Sequence, residues 1–278
     1  MINPDNLREV LNTDIRTPIP EATVSKITSL PPFITVPGVS NFRSLSHENN
    51  LRLGYVYRSG NLSDITDEGK VFLSVDLGIT TIFDLRNQGE RERAPSPQIH
   101  GIETIWMPYG SRPASLNLRD FASEDQGTTG FLKMYSGILE ASVPAFKQVF
   151  THIRDKPDDP FIFHCSAGKD RTGVLAALIL LLMGRSHDEI IHDYILTRIG
   201  LENVRENLTH ALALHAGTDH LSPEAIGMLE LSGVRAHAMA AFLKAFENSY
   251  EGGVEGYLTA KLGFLVPDIQ LMRQNLEA

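Results

Sequence analysis

Residues 161 to 183 read FIFHCSAGKDRTGVLAALILLLM and carry the clearest structural pattern of the chain. The first four residues of this stretch, Phe161 to His164, favour a compact strand. Its last ten, Val174 to Met183, form an apolar run that Gly173 and Gly184 enclose. A membrane span needs about 20 such residues, so the run predicts a buried helix. The order is therefore strand, glycine-containing loop, helix.

The loop between these two elements places one thiol and one arginine in a single turn. Backbone amides of such a loop can converge on an anion, and the following helix presents its positive N-terminal end to the same point. This field stabilises a thiolate at Cys165, and Arg171 can hold two oxygens of a phosphoryl group bidentately. Cys165 is thus the predicted nucleophile. The predicted phosphate-binding residues are Ser166, Ala167, Gly168, Lys169, Asp170 and Arg171.

Strand and helix patterns alternate in the middle of the chain. Strands are predicted at 54–58, 80–84 and 104–107, with a short helix at 67–75 between the first two. A long helical pattern covers 131–154. Such alternation predicts an α/β domain with a mainly parallel central sheet flanked by helices.

The two ends of the chain differ from this centre. Residues 1–36 are rich in proline and predict an extended N-terminal arm with at most one short helix, near residues 6–11. After residue 185 the signals are almost entirely helical, beginning with a capping-box pattern at Ser186 and Glu189. We therefore expect a domain over 37–278, of which 186–278 is a helical appendage.

Charge and cysteine content exclude several classes of protein. The chain has 25 Lys and Arg against 34 Asp and Glu, a net charge of −9, which argues against bulk-charge binding to nucleic acid or membrane. Its only cysteine, Cys165, cannot form an intrachain disulfide, which favours a reducing compartment. No secretory or transmembrane segment is recognised, so the expected location is the cytoplasm. The histidines lack metal-ligand spacing, and we expect neither metal nor cofactor.

The loop sequence HCSAGKDRTG, residues 164–173, resembles the Cys-x5-Arg signature of cysteine-dependent phosphatases. Its Lys-Asp pair is similar to the bacterial and fungal lipid-phosphatase-like tyrosine phosphatases. Further similar segments lie at 41–43, 57–60, 77–79, 84–86, 233–235 and 256–258. The resemblance implies a protein tyrosine phosphatase-like fold, a lid formed by the C-terminal helices, and phosphotyrosine proteins or phosphoinositides as substrates.

The general acid is the least determined part of the predicted site. Residues 106–109 resemble the Trp-Pro-Asp acid loop of tyrosine phosphatases but carry no carboxylate where the acid stands. Asp170 lies inside the phosphate loop, and the families that it resembles have an aspartate there, so we favour Asp170 as the proton donor. Asp120, Glu124 and Asp125 stay as alternatives, and Asp170 could instead only cap the helix.

Supporting roles are predicted for three neighbours of these residues. His164 points away from Cys165 on an extended strand, so it is expected to fix the loop rather than exchange protons. Lys169 is expected to add a point charge that favours substrates with more than one phosphate. Thr172 either caps the helix or donates to the sulfur. Three arginines are expected to pair with carboxylates: Arg43, Arg58 and Arg86.

These residues favour hydrolysis of phosphomonoesters through a cysteinyl-phosphate intermediate. Sulfur or arsenate transfer on a related loop would need further cysteines, and only Cys165 is present. A non-catalytic phosphate-binding module would be indicated by loss of the nucleophile or the arginine, and both are present. The choice among phosphoprotein, phosphoinositide and soluble inositol phosphate stays open, as does the oligomeric state.

Overall fold

A computed structural model describes residues 4–45, 52–108, 117–207 and 222–277 of the chain. Tyr109 of the predicted acid-loop segment and residues 208–221 of the predicted lid lie outside these ranges. Five strands form one sheet: β1 (Arg43–Ser44), β2 (Val56–Ser59), β3 (Thr81–Asp84), β4 (Glu103–Trp106) and β5 (Phe161–His164). Their order is β1-β2-β5-β3-β4, and only β1 is antiparallel to its neighbour. The predicted mainly parallel α/β sheet is confirmed.

Helices cover both faces of this sheet. In the first half of the described chain they are α1 (Pro4–Leu11), α2 (Glu21–Thr28), α3 (Asp67–Val71), α4 (Gln88–Arg93), α5 (Thr128–Ala141) and α6 (Val143–Asp155). In the second half they are α7 (Asp170–Leu182), α8 (His187–Ile195), α9 (Thr197–Gly200), α10 (Pro223–Ser232), α11 (Ala236–Ser249), α12 (Gly253–Ala260) and α13 (Val266–Leu276). A π-helical turn, Phe72–Asp76, extends α3, and short 3₁₀ turns lie at Leu118–Phe121 and Glu202–Val204.

The apolar side chains of the central strand β5 lie in two separate hydrophobic cores. Its side chains alternate between the two faces of the sheet, as period-two geometry requires. Ile162 joins Tyr57 and Ile82 in a smaller core beside α3. Phe161 and Phe163 lie in the larger core with the long helices, including α7, which is buried over nearly its whole length. All four residues of β5 are buried. Their packing on both faces of the sheet fixes the position at which the following loop begins.

The N-terminal arm is not extended, so that expectation is wrong. It contains α2 as well as α1, and Pro20 stands at the N-cap of α2, where the missing proline N–H costs no helical hydrogen bond. Leu11, Ile19 and Ile27 are buried in the larger core. The arm therefore packs on the domain as two short helices.

The long helical pattern at 131–154 is also corrected. It forms two helices, α5 and α6, which meet at Ser142. Pro144 lies in the first turn of α6. A proline inside one continuous helix would remove a hydrogen bond and clash with the preceding turn, so the helical pattern divides into two helices here. The predicted helix starts near Ser186, Pro223 and Pro267 are confirmed.

Candidate active site

The phosphate loop, residues 165–169, begins where three parallel strands end side by side. His164 at the end of β5 is in register with Ser59 of β2 and Asp84 of β3. The loop runs directly into α7, which starts at Asp170. Carboxyl ends of parallel strands are where open α/β sheets bind their ligands, so the loop predicted from sequence lies at the expected edge.

The carbonyl groups of the loop are held from behind. Asn41 Nδ2 donates to the carbonyl oxygens of Ala167 and Gly168, at 3.0 and 3.2 Å. Arg58 donates to the Gly168 carbonyl oxygen at 2.8 Å. A peptide's N–H and C=O point in opposite directions, so holding the carbonyls outward turns the amides inward.

The backbone amides of the loop have no acceptor of their own. Among the described residues, nothing accepts a hydrogen bond from the six amides of residues 166–171. Four of them belong to the loop, and two begin α7, where the first N–H groups lack intrahelical partners. Buried amides without partners are rare, so the arrangement is suited to a bound anion.

Gly168 is the residue that lets this loop close against the sheet. Its φ is +65°, in the left-handed region that favours glycine. A Cβ at this position would also stand 2.2 Å from the backbone oxygen of Ser59. No other residue fits both the torsion angle and the space.

A buried cluster of charge supports the loop from below. Asp193 of α8 pairs with Arg43, whose Nε lies 2.9 Å from the carboxylate, and with Arg58. Burial raises the pKa of Asp193, but the two arginines outweigh burial and lower it overall. Burial and the neighbouring Arg58 lower the pKa of Arg43 to about 10. The expected carboxylate pairing of Arg43 and Arg58 is confirmed, with two arginines sharing one carboxylate beneath the loop.

Cys165 is buried and is the free thiol of the site. Arg171 is oriented above this loop by Glu90 of α4, whose two oxygens accept from Nη1 and Nη2 at 2.7 and 2.6 Å. Nη1 also donates to the Leu85 carbonyl oxygen at 3.1 Å. Three of the five guanidinium N–H groups are then used. Nε and one N–H of Nη2 have no partner among the described residues, and together they form a fork for two oxygens.

Glu90 is the functional residue that the sequence analysis missed. Its carboxylate also accepts from the Ser166 hydroxyl at 2.6 Å and from the Asn87 amide at 2.8 Å. Burial raises its pKa, but these bonds and Arg171 prevail and lower it to about 2. The only local signal was the capping box that Asn87 and Glu90 form at the start of α4. That pattern predicts a helix start and says nothing of Arg171.

Asp170 lies in the first turn of α7 with its carboxylate partly exposed. Its Oδ1 accepts from the hydroxyl of Tyr135 at 3.1 Å. Lys169 Nζ stands 3.6 Å from the same oxygen. These contacts place the Asp170 carboxylate between Tyr135 of α5 and Lys169 of the loop, and its role as proton donor stays a prediction.

Lys169 is buried, and its ammonium group is turned toward the C-terminal helices. Nζ donates to the carbonyl oxygens of Leu231 and Gly233, the latter at 3.0 Å, where α10 ends. It also lies 5.4 Å from the ring centre of Phe131. Burial lowers the pKa of Lys169. Lys169 thus joins the loop to α10, and its preference for polyphosphorylated substrates stays a prediction.

Two of the three carboxylates named as alternative acids, Asp125 and Asp120, have other partners. Asp125 accepts from Ser123 and from the amide and hydroxyl of Thr129 at the start of α5, and these hydrogen bonds lower its pKa. A lowered pKa makes Asp125 a poor proton donor. Asp120 is paired with Lys133 at 2.8 Å. Neither arrangement brings a carboxylate to the phosphate loop.

His164 and Thr172 flank the nucleophile. His164 Nδ1 lies 3.2 Å from the Cys165 carbonyl oxygen, which can only accept, so Nδ1 carries the proton. Burial lowers the pKa of His164, which supports the expected loop-fixing role of a neutral ring. The Thr172 hydroxyl is buried without a partner among the described residues and makes no cap to α7. Donation to the sulfur stays a prediction.

The described residues hold neither a metal-binding cluster nor a membrane-spanning helix. No group of three His, Cys, Asp or Glu side chains is arranged to hold a metal ion in the parts of the chain that the structure covers. Within the same ranges, no helix has the length and apolar character needed to cross a bilayer.

Comparison with known proteins agrees with this geometry. A family model described as the tyrosine phosphatase family matches residues 34–278. The chain belongs to the tyrosine phosphatase family. It is an enzyme that hydrolyses phosphomonoesters.

Individual relatives share this family across most of the chain. The triple specificity protein phosphatase PtpB of Mycobacterium tuberculosis is 28% identical over 261 residues, which cover 80% of this chain and 91% of that protein. A tyrosine-protein phosphatase of Nostoc commune is 30% identical over 224 residues, covering 79% of this chain and 73% of that protein. Among solved structures, the core catalytic domain of the PP-IP phosphatase SIW14 from S. cerevisiae aligns with a TM-score of 0.37 and 17% identity, covering 62% of this chain and 87% of that chain.

Proposed function

We propose that this phosphatase works through a cysteinyl-phosphate intermediate on Cys165. The observation that carries the proposal is the combination of six backbone amides, those of residues 166–171, with two N–H groups of Arg171, none of which has a partner in the described part of the chain. Such donors stabilise the charge of a phosphoryl group in transfer without reorganisation. A phosphate dianion in this cradle would lie with its phosphorus above Sγ.

In the first step, the Cys165 thiolate attacks phosphorus. The S–P bond forms while the ester P–O bond breaks, and Asp170 gives its proton to the leaving oxygen. Arg171 binds two non-bridging oxygens through Nε and Nη2, which Glu90 leaves free.

In the second step, water replaces the thiolate. The new O–P bond forms while the S–P bond breaks, the Asp170 carboxylate takes the proton from water, and Cys165 returns as thiolate. The unpartnered Thr172 hydroxyl is suited to donate to the departing sulfur. Inorganic phosphate is released, and the enzyme regains its starting protonation.

The proposed substrates are phosphotyrosine proteins, phosphoinositides or both. The name of PtpB records three specificities for that relative, which supports a site of broad acceptance here. We place the enzyme in the cytoplasm, since the lone thiol of Cys165 must stay reduced to act.

The test is a turnover panel of a phosphotyrosine peptide, a phosphoserine peptide, a phosphoinositide and a soluble inositol phosphate, each with excess chelator. Wild type and Cys165→Ser are compared, and rapid quenching with radiolabelled substrate should trap phosphate on the wild-type protein. We expect chelator-resistant turnover of at least one phosphotyrosine or phosphoinositide substrate and none in the variant. Full activity of Cys165→Ser, or turnover of phosphoserine peptide alone, would refute the proposal.

A further inference from the structure

The two carboxyl oxygens of Asp170 have different surroundings. Oδ1 has both neighbours, the Tyr135 hydroxyl at 3.1 Å and Lys169 Nζ at 3.6 Å. Oδ2 accepts no hydrogen bond from any described residue. The carboxyl group is thereby asymmetric before any substrate binds.

The Tyr135 hydroxyl is held rigidly by its surroundings. Tyr135 lies on α5 and is fully buried. Its ring packs edge-on against Phe242, with centroids 5.4 Å apart, and at a tilt against Phe131, with centroids 5.7 Å apart. Its hydroxyl lies 2.8 Å from that of Tyr194 on α8, which is also buried. Tyr135 of α5 thus contacts the Asp170 carboxylate directly, and Tyr194 of α8 is linked to it through Tyr135.

The direction of the hydrogens in this chain follows from the number of protons. Burial raises the pKa of both phenols well above the ordinary value, so each keeps its single proton. An ionised carboxylate can only accept, so Tyr135 donates to Asp170 and Tyr194 donates to Tyr135. When Asp170 is protonated, Tyr135 can still donate to Oδ1 provided that the proton sits on Oδ2.

We propose that Tyr135, supported by Tyr194, is a positioning residue that keeps Oδ1 as an acceptor and so assigns the transferable proton to Oδ2. This rests on the proposed role of Asp170 as proton donor. As the S–P bond forms and the ester P–O bond breaks, the proton leaves Oδ2 for the leaving oxygen. When water attacks, its proton returns to Oδ2, and Tyr135 keeps its own proton throughout.

The test uses leaving-group dependence, because only a poor leaving group needs the proton. We compare kcat for an alkyl phosphate with kcat for an aryl phosphate that has a good leaving group. Removing one hydrogen bond to a charged group should cost Tyr135→Phe about tenfold on the alkyl substrate. On the aryl substrate we expect less than about twofold. Tyr194→Phe, one bond further away, should show the same selectivity at about threefold.

A matched control removes a buried tyrosine hydroxyl that also contacts α5 but has no contact with Asp170. The Tyr257 hydroxyl is buried and donates to the Leu139 carbonyl oxygen of α5 at 3.0 Å. Tyr257→Phe should lower thermal stability as much as Tyr135→Phe and leave the ratio of alkyl to aryl turnover unchanged. A ratio that moves equally in both variants would show a general structural effect and overturn the proposal.

The Asp170→Asn variant distinguishes two ways of being wrong: about the positioning role of Tyr135, or about Asp170 as the proton donor. If Asp170→Asn slows both substrates alike, Asp170 is not the proton donor and the proposed mechanism fails there. If it slows the alkyl substrate selectively while Tyr135→Phe and Tyr194→Phe do not, only the positioning role is wrong. In an Asp170→Asn background, Tyr135→Phe should add no further selectivity. Should Tyr135→Phe not fold, the Tyr194→Phe ratio decides.

Discussion

Two arginines follow neighbouring strands of the sheet, and they use their donors differently. Arg86 follows β3 and donates all five N–H groups: three bonds hold Asp84 and Ser96, and Nη1 reaches Asn61 and the Ala94 carbonyl. Arg171 follows β5 and donates three, which leaves two for a ligand. A bidentate carboxylate is common to both, so unused donors mark the binding residue.

The backbones of the two loops differ in the same way. After β3, the amides of Leu85, Arg86 and Asn87 all have acceptors, at 2.9, 3.0 and 2.8 Å. After β5, the amides of 166–171 have none among the described residues. The first loop is a closed structural turn, and the second keeps its donors for an anion.

The largest expected effect is a contrast between the two arginines. Arg171→Lys should lower kcat by about 1,000-fold, because a lysine cannot reproduce two parallel charge-assisted bonds to the transferring group. Its melting temperature should change little. Arg86→Lys should instead cost about 3 kcal/mol of unfolding free energy, because it leaves Asp84 buried with poorer pairing. Steady-state kinetics and thermal melts of both variants check this prediction. A large loss of stability in Arg171→Lys with little loss of kcat, and the opposite in Arg86→Lys, would contradict the comparison.

A second contrast tests the backbone of the phosphate loop. Gly168 and Gly184 have nearly the same φ, +65° and +68°, but a Cβ at Gly184 would meet nothing within 4 Å. Gly184→Ala should therefore cost only the torsional strain, about 1–2 kcal/mol, with kcat unchanged. Gly168→Ala forces the loop off Ser59 and should lower kcat by about 100-fold. Equal kcat in the two variants would mean that loop geometry does not limit catalysis.

A third test removes the carboxylate that orients Arg171. Glu90→Gln should lower kcat by about 10- to 30-fold, since one charge-assisted pair is weakened while the guanidinium stays in place. Glu92→Gln on the same helix is the control, because within the described ranges the Glu92 carboxylate accepts a hydrogen bond from Gln88 alone, at 2.7 Å. Steady-state kinetics should separate the two variants. If Glu90→Gln equals Glu92→Gln, the fork of Arg171 does not depend on Glu90.

Local patterns in the sequence identified the loop but not its supports. The loop and its helix are contiguous from His164 to Leu182, so spacing alone predicted them. Glu90 and Asp193 lie far from Arg171 and Arg58 in the chain. They come near because β5 inserts between β2 and β3. That strand order is not readable from periodicity, so pairing with carboxylates was predictable and these particular partners were not.

The pKa of Glu90 also predicts a dependence of stability on pH. Because the folded-state pKa, about 2, lies below the ordinary 4.5, the pair stabilises the fold above pH 4.5, and this stability is lost as pH falls towards 2. Wild type should therefore lose roughly 1 kcal/mol more over that window than Glu90→Gln, about fivefold in the unfolding constant. Chemical denaturation at several pH values measures it. Parallel curves would show that Glu90 is not paired in solution.

The smallest effect is expected for Lys169, which contrasts with Arg171 within one loop. Its ammonium group donates to two neutral carbonyl oxygens and lies 3.6 Å from Asp170 Oδ1. It therefore lacks the bidentate carboxylate partner of Arg171, and when Asp170 is protonated its positive charge acts on substrate over distance. Lys169→Met keeps the buried stem and removes that charge. Turnover of a substrate with two or more phosphates should fall about threefold more than turnover of a monophosphorylated peptide, because an added phosphate feels the same field. An equal fractional loss on both would make Lys169 only a tie between the loop and α10.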